Sequence, residues 1–191
     1  MGAAPGVSGS TAASARAGLG RRLIEIAVGA LLVAAAAQVA VPVPFSPVPM
    51  TLQPLAVLVV GGLLGAPGGV AALITYLALG VAGLPVFAGG SAGVWHLAGP
   101  TGGYLLAFPV AAGVTGALVG RSAGILQVLL ACALGMVVIH VGGVAQLALL
   151  GGDPGLALRV GFVPFLTGDL LKVGLAAAVI LGLRPKVRGA N

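Results

Sequence analysis

Near the C-terminus, the run Pro164-Phe165-Leu166-Thr167-Gly168-Asp169-Leu170-Leu171-Lys172-Val173 sets a carboxylate and an ammonium three positions apart. The surrounding apolar stretch continues to Leu183. Only three acidic residues occur in the whole chain, so one placed among leucines needs a cause. At this spacing the two side chains share a helix face and can pair. Each would cost about 2.5–3.5 kcal/mol at the centre of a membrane helix, so neither faces lipid and both face a bundle interior or a wet cavity. The pair is either a structural ion bridge between helices or an acceptor and a donor offered to a polar ligand. Isolated buried ion pairs add little stability over apolar packing, which favours the ligand.

Other polar groups are scarce. His140 and Gln146 lie in the preceding apolar run and read as interhelical hydrogen bonders, with cavity lining as the alternative. His96 is the only other histidine, and with so few acids no ligand cluster forms, so neither metal nor cofactor is expected. No suitably spaced nucleophile accompanies Lys172, which argues against an intramembrane enzyme. No GxxxxGK[ST] phosphate loop is present, so this chain does not hydrolyse ATP by that route. The one cysteine, Cys132, lies in an apolar run, allows no disulfide within the chain and reads as a small core residue.

The elements that must hold these residues follow from composition. Apolar residues make up 59% of 191 positions and charged ones 6%, with a mean hydropathy of +1.20. A water-soluble globule with so little polar surface could not cover its core, whereas lipid solvates apolar side chains directly. The chain therefore reads as an all-α membrane protein, with its 34 glycines acting first as packing residues. The formal charge of +6 is a topology signal rather than a nucleic-acid footprint, because the basic residues flank apolar runs and form no stripe with aromatics.

Residues 1–20 read as a flexible tail without a periodic apolar face. The pattern for myristoylation at Gly2 fails, because position 6 is glycine. Arg21-Arg22 before an apolar run also suits a twin-arginine signal, but the run is long for one and everything downstream belongs in lipid too. Six spans are expected, at about 23–40, 51–66, 68–84, 104–120, 123–149 and 160–183, within a domain of residues 21–184 and ahead of a basic tail at 185–191. The second and third are short, and Gly142-Gly143 is a place where the fifth can bend. With both termini in the cytoplasm, Arg16, Arg21, Arg22, Arg121, Arg184, Lys186 and Arg188 lie inside and only Arg159, near Asp153, lies outside. Glu25 reads as the interfacial partner of Arg21 and Arg22. No internal repeat stands out.

Two outer connections are unusual. Val41 to Met50 has proline at nearly every second position, which stiffens the chain into either a pre-ordered lid or a plain connector. Residues 85–103 are glycine-rich, and Phe87, Trp95 and Tyr104 in or beside them suit either the walls of a small-molecule pocket or an interfacial aromatic belt.

Four motifs carry a resemblance: Pro44 to Gln53 (PFSPVPMTLQ), Gly83 to Gly90 (GLPVFAGG), Gly99 to Tyr104 (GPTGGY) and Gly168 to Lys172 (GDLLK). Over about residues 21–183 they resemble, in order, the BioY family, biotin-binding S components of energy-coupling factor (ECF) vitamin transporters. The resemblance implies a six-helix bundle in a prokaryotic cell membrane that captures biotin from outside, with the first outer loop as its cover. It also implies partners: a transmembrane coupling subunit and a pair of cytosolic ATPases. It implies that Asp169 and Lys172 contact biotin, with Thr51, Gln53, Trp95 and Tyr104 as further pocket candidates, and that small residues on the first helix form a docking face. Ala30 and Ala34 have that spacing, as do Gly174, Ala178 and Gly182, although in a chain this rich in Ala and Gly intramolecular packing is the better explanation of both sets. Thr167 stands where proline is expected, and Gln146 where an aromatic is common. An S component for another vitamin and a stand-alone facilitator are the competing readings.

Overall fold

A computed structural model describes residues 8–120 and 123–188. Helix α1 (Ser8–Gln38) leads into a short antiparallel ladder, β1 (Ala40–Val41) with β2 (Met50–Thr51), and then helix α2 (Gln53–Val81). A glycine-rich connection containing the short helix α3 (Trp95–Ala98) precedes α4 (Gly102–Leu118). Helix α5 (Ile125–Gly151), the short α6 (Pro154–Gly161) and α7 (Leu166–Arg188) complete the chain. Helix α1 begins at Ser8, so residues 8–20, expected to lie in a non-periodic tail, are helical. Their four alanines and Arg16 are good helix formers.

Helix α2 is a hairpin. As a straight helix it would hold Gln53 and Tyr76 about 34 Å apart, yet the Gln53 Nε2 donates to the Tyr76 hydroxyl over 2.7 Å. The reversal sits at Gly65, whose φ of 73° and ψ of 174° belong to a region that only glycine enters without strain. Pro67 begins the second arm two residues later, where its missing N–H costs nothing. The second and third expected spans are the two arms. Counting them separately, α1, α4, α5 and α7 bring the bundle to six long helical segments. Gly142 and Gly143 do not bend α5, which runs unbroken; they receive α4 instead, Gly142 against Gly103 and Ala107, Gly143 against the Tyr104 ring.

At the hairpin end, backbones lie almost in contact. A Cβ at Gly61 would sit 2.4 Å from the Ala112 carbonyl oxygen, and one at Gly116 would sit 2.5 Å from Ala66 N. Arg184 of α7 donates to the carbonyls of Gly120 (2.9 Å) and Ala123 (3.2 Å). This closes the same end by tying the last helix to the α4–α5 connection. Arg184, late in α7, therefore lies at the hairpin end, and the ladder, α3 and the start of α7 gather at the other.

The outer face is apolar. Leu170, Leu171 and Leu149 are exposed, as are Ile24 and Leu31 of α1, a pattern stable only where lipid is the solvent. Three helical stretches, Gln53–Val81, Ile125–Gly151 and Pro154–Arg184, are long and apolar enough to cross a membrane; the folding back of the first makes it two passes. Ala30 and Ala34 do not form an exposed docking face: at 1% and 8% exposure they belong to the core of the chain's own bundle. Gly174, Ala178 and Gly182 are exposed.

Candidate functional site

The start of α7 brings Asp169 and Lys172 inward while Leu170 and Leu171 turn outward. A helix of 3.6 residues per turn gives this alternation, and lipid outside with polar partners inside selects its phase. Lys172 Nζ donates to Asp169 Oδ1 over 2.9 Å, and both side chains are more than nine-tenths buried. The second carboxylate oxygen is engaged as well. His140 Nε2 of α5 lies 2.6 Å from Asp169 Oδ2. A carboxylate oxygen only accepts, so Nε2 carries the proton. Nδ1 is then buried without a hydrogen-bond partner among the described residues, enclosed by the rings of Tyr104, Phe162 and Phe165. His140 thus both makes the interhelical hydrogen bond read from sequence and lines the cavity.

This trio lines a cleft together with a set of apolar side chains. Tyr104, Leu105 and Phe108 of α4, Ile139 of α5 and Phe165 form its apolar walls, and Val48 and Pro49 of the proline-rich loop border it. The β1–β2 ladder pins that loop at its base. Its tip, Phe45, is 97% exposed and holds a left-handed φ of 67°, a strained conformation for a bulky side chain.

Thr51 and Gln53 line the cleft as expected, but their polar groups are turned on each other. Thr51 Oγ1 donates to Gln53 Oε1 (3.1 Å), Gln53 donates to Tyr76, and the Tyr76 hydroxyl donates to the Val86 carbonyl (3.2 Å). Tyr104 also lines the cleft, and its hydroxyl donates to the Gly161 carbonyl over 2.6 Å, fixing the ring against α6.

Trp95 is placed elsewhere: it is 84% exposed and does not border the cleft. Phe87 is likewise no wall. It is fully buried, its ring occupying the space that a side chain at position 80 would need, and it meets Tyr76 edge-on. The residue that uses Phe87 is His96, which the sequence did not mark as a site. Its ring stacks on Phe87 at 5.2 Å, its Nε2 lies 3.2 Å from Thr101 Oγ1 and 3.5 Å from Ser91 Oγ, and it lines the cleft together with Thr101. Burial holds the His96 imidazole below its ordinary pKa. Its one sequence signal was a titratable residue in a glycine-rich loop, and Thr101 was hidden inside the GPTGGY motif. Gln146 serves that loop from below, donating to the carbonyls of Leu97 (2.9 Å) and Gly99 (2.7 Å).

Comparison with known proteins agrees with this geometry. The BioY family model matches residues 10–189. A protein of Thermotoga maritima named biotin transporter BioY is 38% identical, covering 86% of this chain and 96% of its own. One of Pyrococcus horikoshii named probable biotin transporter BioY is also 38% identical, covering 84% and 94%. The crystal structure of an S-component for biotin from an ECF-type ABC transporter superposes with a TM-score of 0.80 at 27% identity, covering 86% of this chain and 90% of that one. With the family model spanning nearly its whole length and relatives matched almost end to end, this chain belongs to the BioY family.

Proposed function

We propose that this chain captures biotin for an ECF-type transporter, binding it in the cleft that opens beside the proline-rich loop. It is a multi-pass membrane transport subunit and not an enzyme. The observation that carries the biotin reading is the buried Asp169–Lys172 pair bordering a largely apolar cleft. Biotin's ureido ring has N–H donors and a carbonyl acceptor. Asp169 accepts a ureido N–H, Lys172 donates to the ligand, and the Phe108, Phe165 and Ile139 walls take up the sulfur ring and aliphatic chain. The ring supplies the solvation that two ions in hydrocarbon otherwise lack.

The basic residues Arg21, Arg22 and Arg184 sit towards the hairpin end, which by the positive-inside rule faces the cytoplasm. The cleft then opens outward, and the proline-rich loop, whose Val48 and Pro49 border it, serves as its cover. Release to the cytosol needs energy from elsewhere, since the chain carries no phosphate-binding loop. A transmembrane coupling subunit with cytosolic ATPases supplies it.

Equilibrium binding of labelled biotin to the detergent-purified protein tests the reading. Biotin binds the unmodified chain, and Asp169→Asn and Lys172→Ala each weaken it by more than about tenfold, as expected when a hydrogen bond to a charged group is lost. Unchanged affinity in both variants returns the pair to a purely structural role.

A further inference from the structure

Biotin has a second polar end, a carboxylate, and with the ureido ring on Asp169 and Lys172 it must be met elsewhere in the cleft. The remaining donors that border the cleft can be sorted by where their protons already go. Thr51 gives its proton to Gln53, Gln53 one of its two amide protons to Tyr76, and Tyr104 its hydroxyl to Gly161. His140 Nε2–H is held by Asp169. Of the hydroxyl and imidazole groups in the lining, this leaves His96 and Thr101.

One tautomer of His96 satisfies both of its neighbours. Ser91 Oγ donates to the Ala88 carbonyl over 2.7 Å, so towards His96 it can only accept. An Nε2–H on His96, directed mainly at Thr101 Oγ1 and more weakly at Ser91 Oγ, suits both oxygens. The Thr101 proton then has no acceptor among the described residues. Thr101 also precedes the first turn of α4 without making a side-chain capping bond, so the proton is not turned back to its own helix. The positive end of the α4 dipole lies beside it. The His96 ring is held in place by its stack on buried Phe87, a rigidity an exposed loop histidine lacks.

We propose that His96 and Thr101 form a carboxylate-binding subsite, which takes the acid end of the ligand while Asp169 and Lys172 take the ureido end. The assignment rests on the biotin reading of the cleft. Thr101 donates its free hydroxyl proton to one carboxylate oxygen, and the His96 Nε2–H turns from Thr101 to the other. Leu105, Phe108 and Ile139 line the same cleft as both polar stations, which matches a ligand polar at both ends and aliphatic between.

The test compares biotin with biotinamide, its uncharged carboxamide, on the full-length protein in detergent. The unmodified chain prefers biotin by about tenfold, the worth of a hydrogen bond to a charged group. Thr101→Val and His96→Leu each weaken biotin more than biotinamide and so reduce that preference several-fold, and Thr101→Ser, which keeps the hydroxyl, retains it. Equal affinity of the unmodified chain for both ligands overturns the subsite without any variant being needed. So does a variant that weakens both ligands alike. If neither ligand binds the unmodified chain, it is the biotin reading that has failed.

Discussion

Where the hairpin of α2 turns, Gly61 and Gly116 bring backbone against backbone, and Arg184 closes the end with two hydrogen bonds to loop carbonyls. Where α7 begins, the chain leaves regular structure for a two-residue ladder, a proline-rich loop strained at Phe45, a glycine-rich loop and three buried ionisable groups. The first end is held by close approach, which in lipid replaces the hydrophobic drive as the force between helices. The second accepts strain and buried charge, features that persist only where surrounding structure over-determines them. Rigidity at one end is what permits polar groups to be held in place at the other.

Substitutions at the two ends can break or sharpen this contrast. Gly61→Leu has the largest expected effect. Its side chain meets the Ala112 backbone, which cannot step aside as a flexible side chain would. The loss of stability should exceed the roughly 3 kcal/mol of ordinary overpacking, read as loss of a folded peak in detergent or a fall in thermal midpoint. A tolerated leucine would mean that close approach does not hold that end. Next comes Lys172→Met, which leaves Asp169 with His140 alone. About 3 kcal/mol of stability should go, as when one member of a buried pair is removed, together with biotin binding. Survival of binding would separate the ion pair from the ligand. Arg184→Leu forfeits two hydrogen bonds on the packed end and should cost about 2 kcal/mol in thermal stability, while biotin affinity at the far end stays within about twofold. Trp95→Ala should change stability by less than about 0.5 kcal/mol, as for other surface positions, and leave affinity unaltered, because the ring borders neither the cleft nor the core.

The helices were legible because lipid leaves the backbone so few choices: uninterrupted apolar runs must be helical, and Gly, Pro and Arg mark their ends. Asp169 and Lys172 were legible for a related reason, since an ion in such a run is costly enough to need a purpose. What the sequence hid was decided by tertiary partners. Phe87 and Trp95 are both aromatics of the same glycine-rich loop, yet one fills the space over Gly80 and the other points away from the protein. Nothing local distinguishes them. Ala30 and Ala34 share a spacing with the exposed Gly174, Ala178 and Gly182, and only the packing of α1 on α2 shows that the alanines are interior. His96 drew no attention because its use depends on Phe87 beneath it and Thr101 beside it.

The grip of Arg184 on the α4–α5 connection has a mechanical corollary. Fifteen residues of helix separate it from Asp169, a lever arm of about 22 Å. Pivoting α7 by only about 5° around that anchor would swing the carboxylate about 2 Å, further than a hydrogen bond tolerates. A slight rocking of α7 about its Arg184 end is therefore sufficient in amplitude to break the hydrogen bond between Asp169 and His140 of α5 at the other.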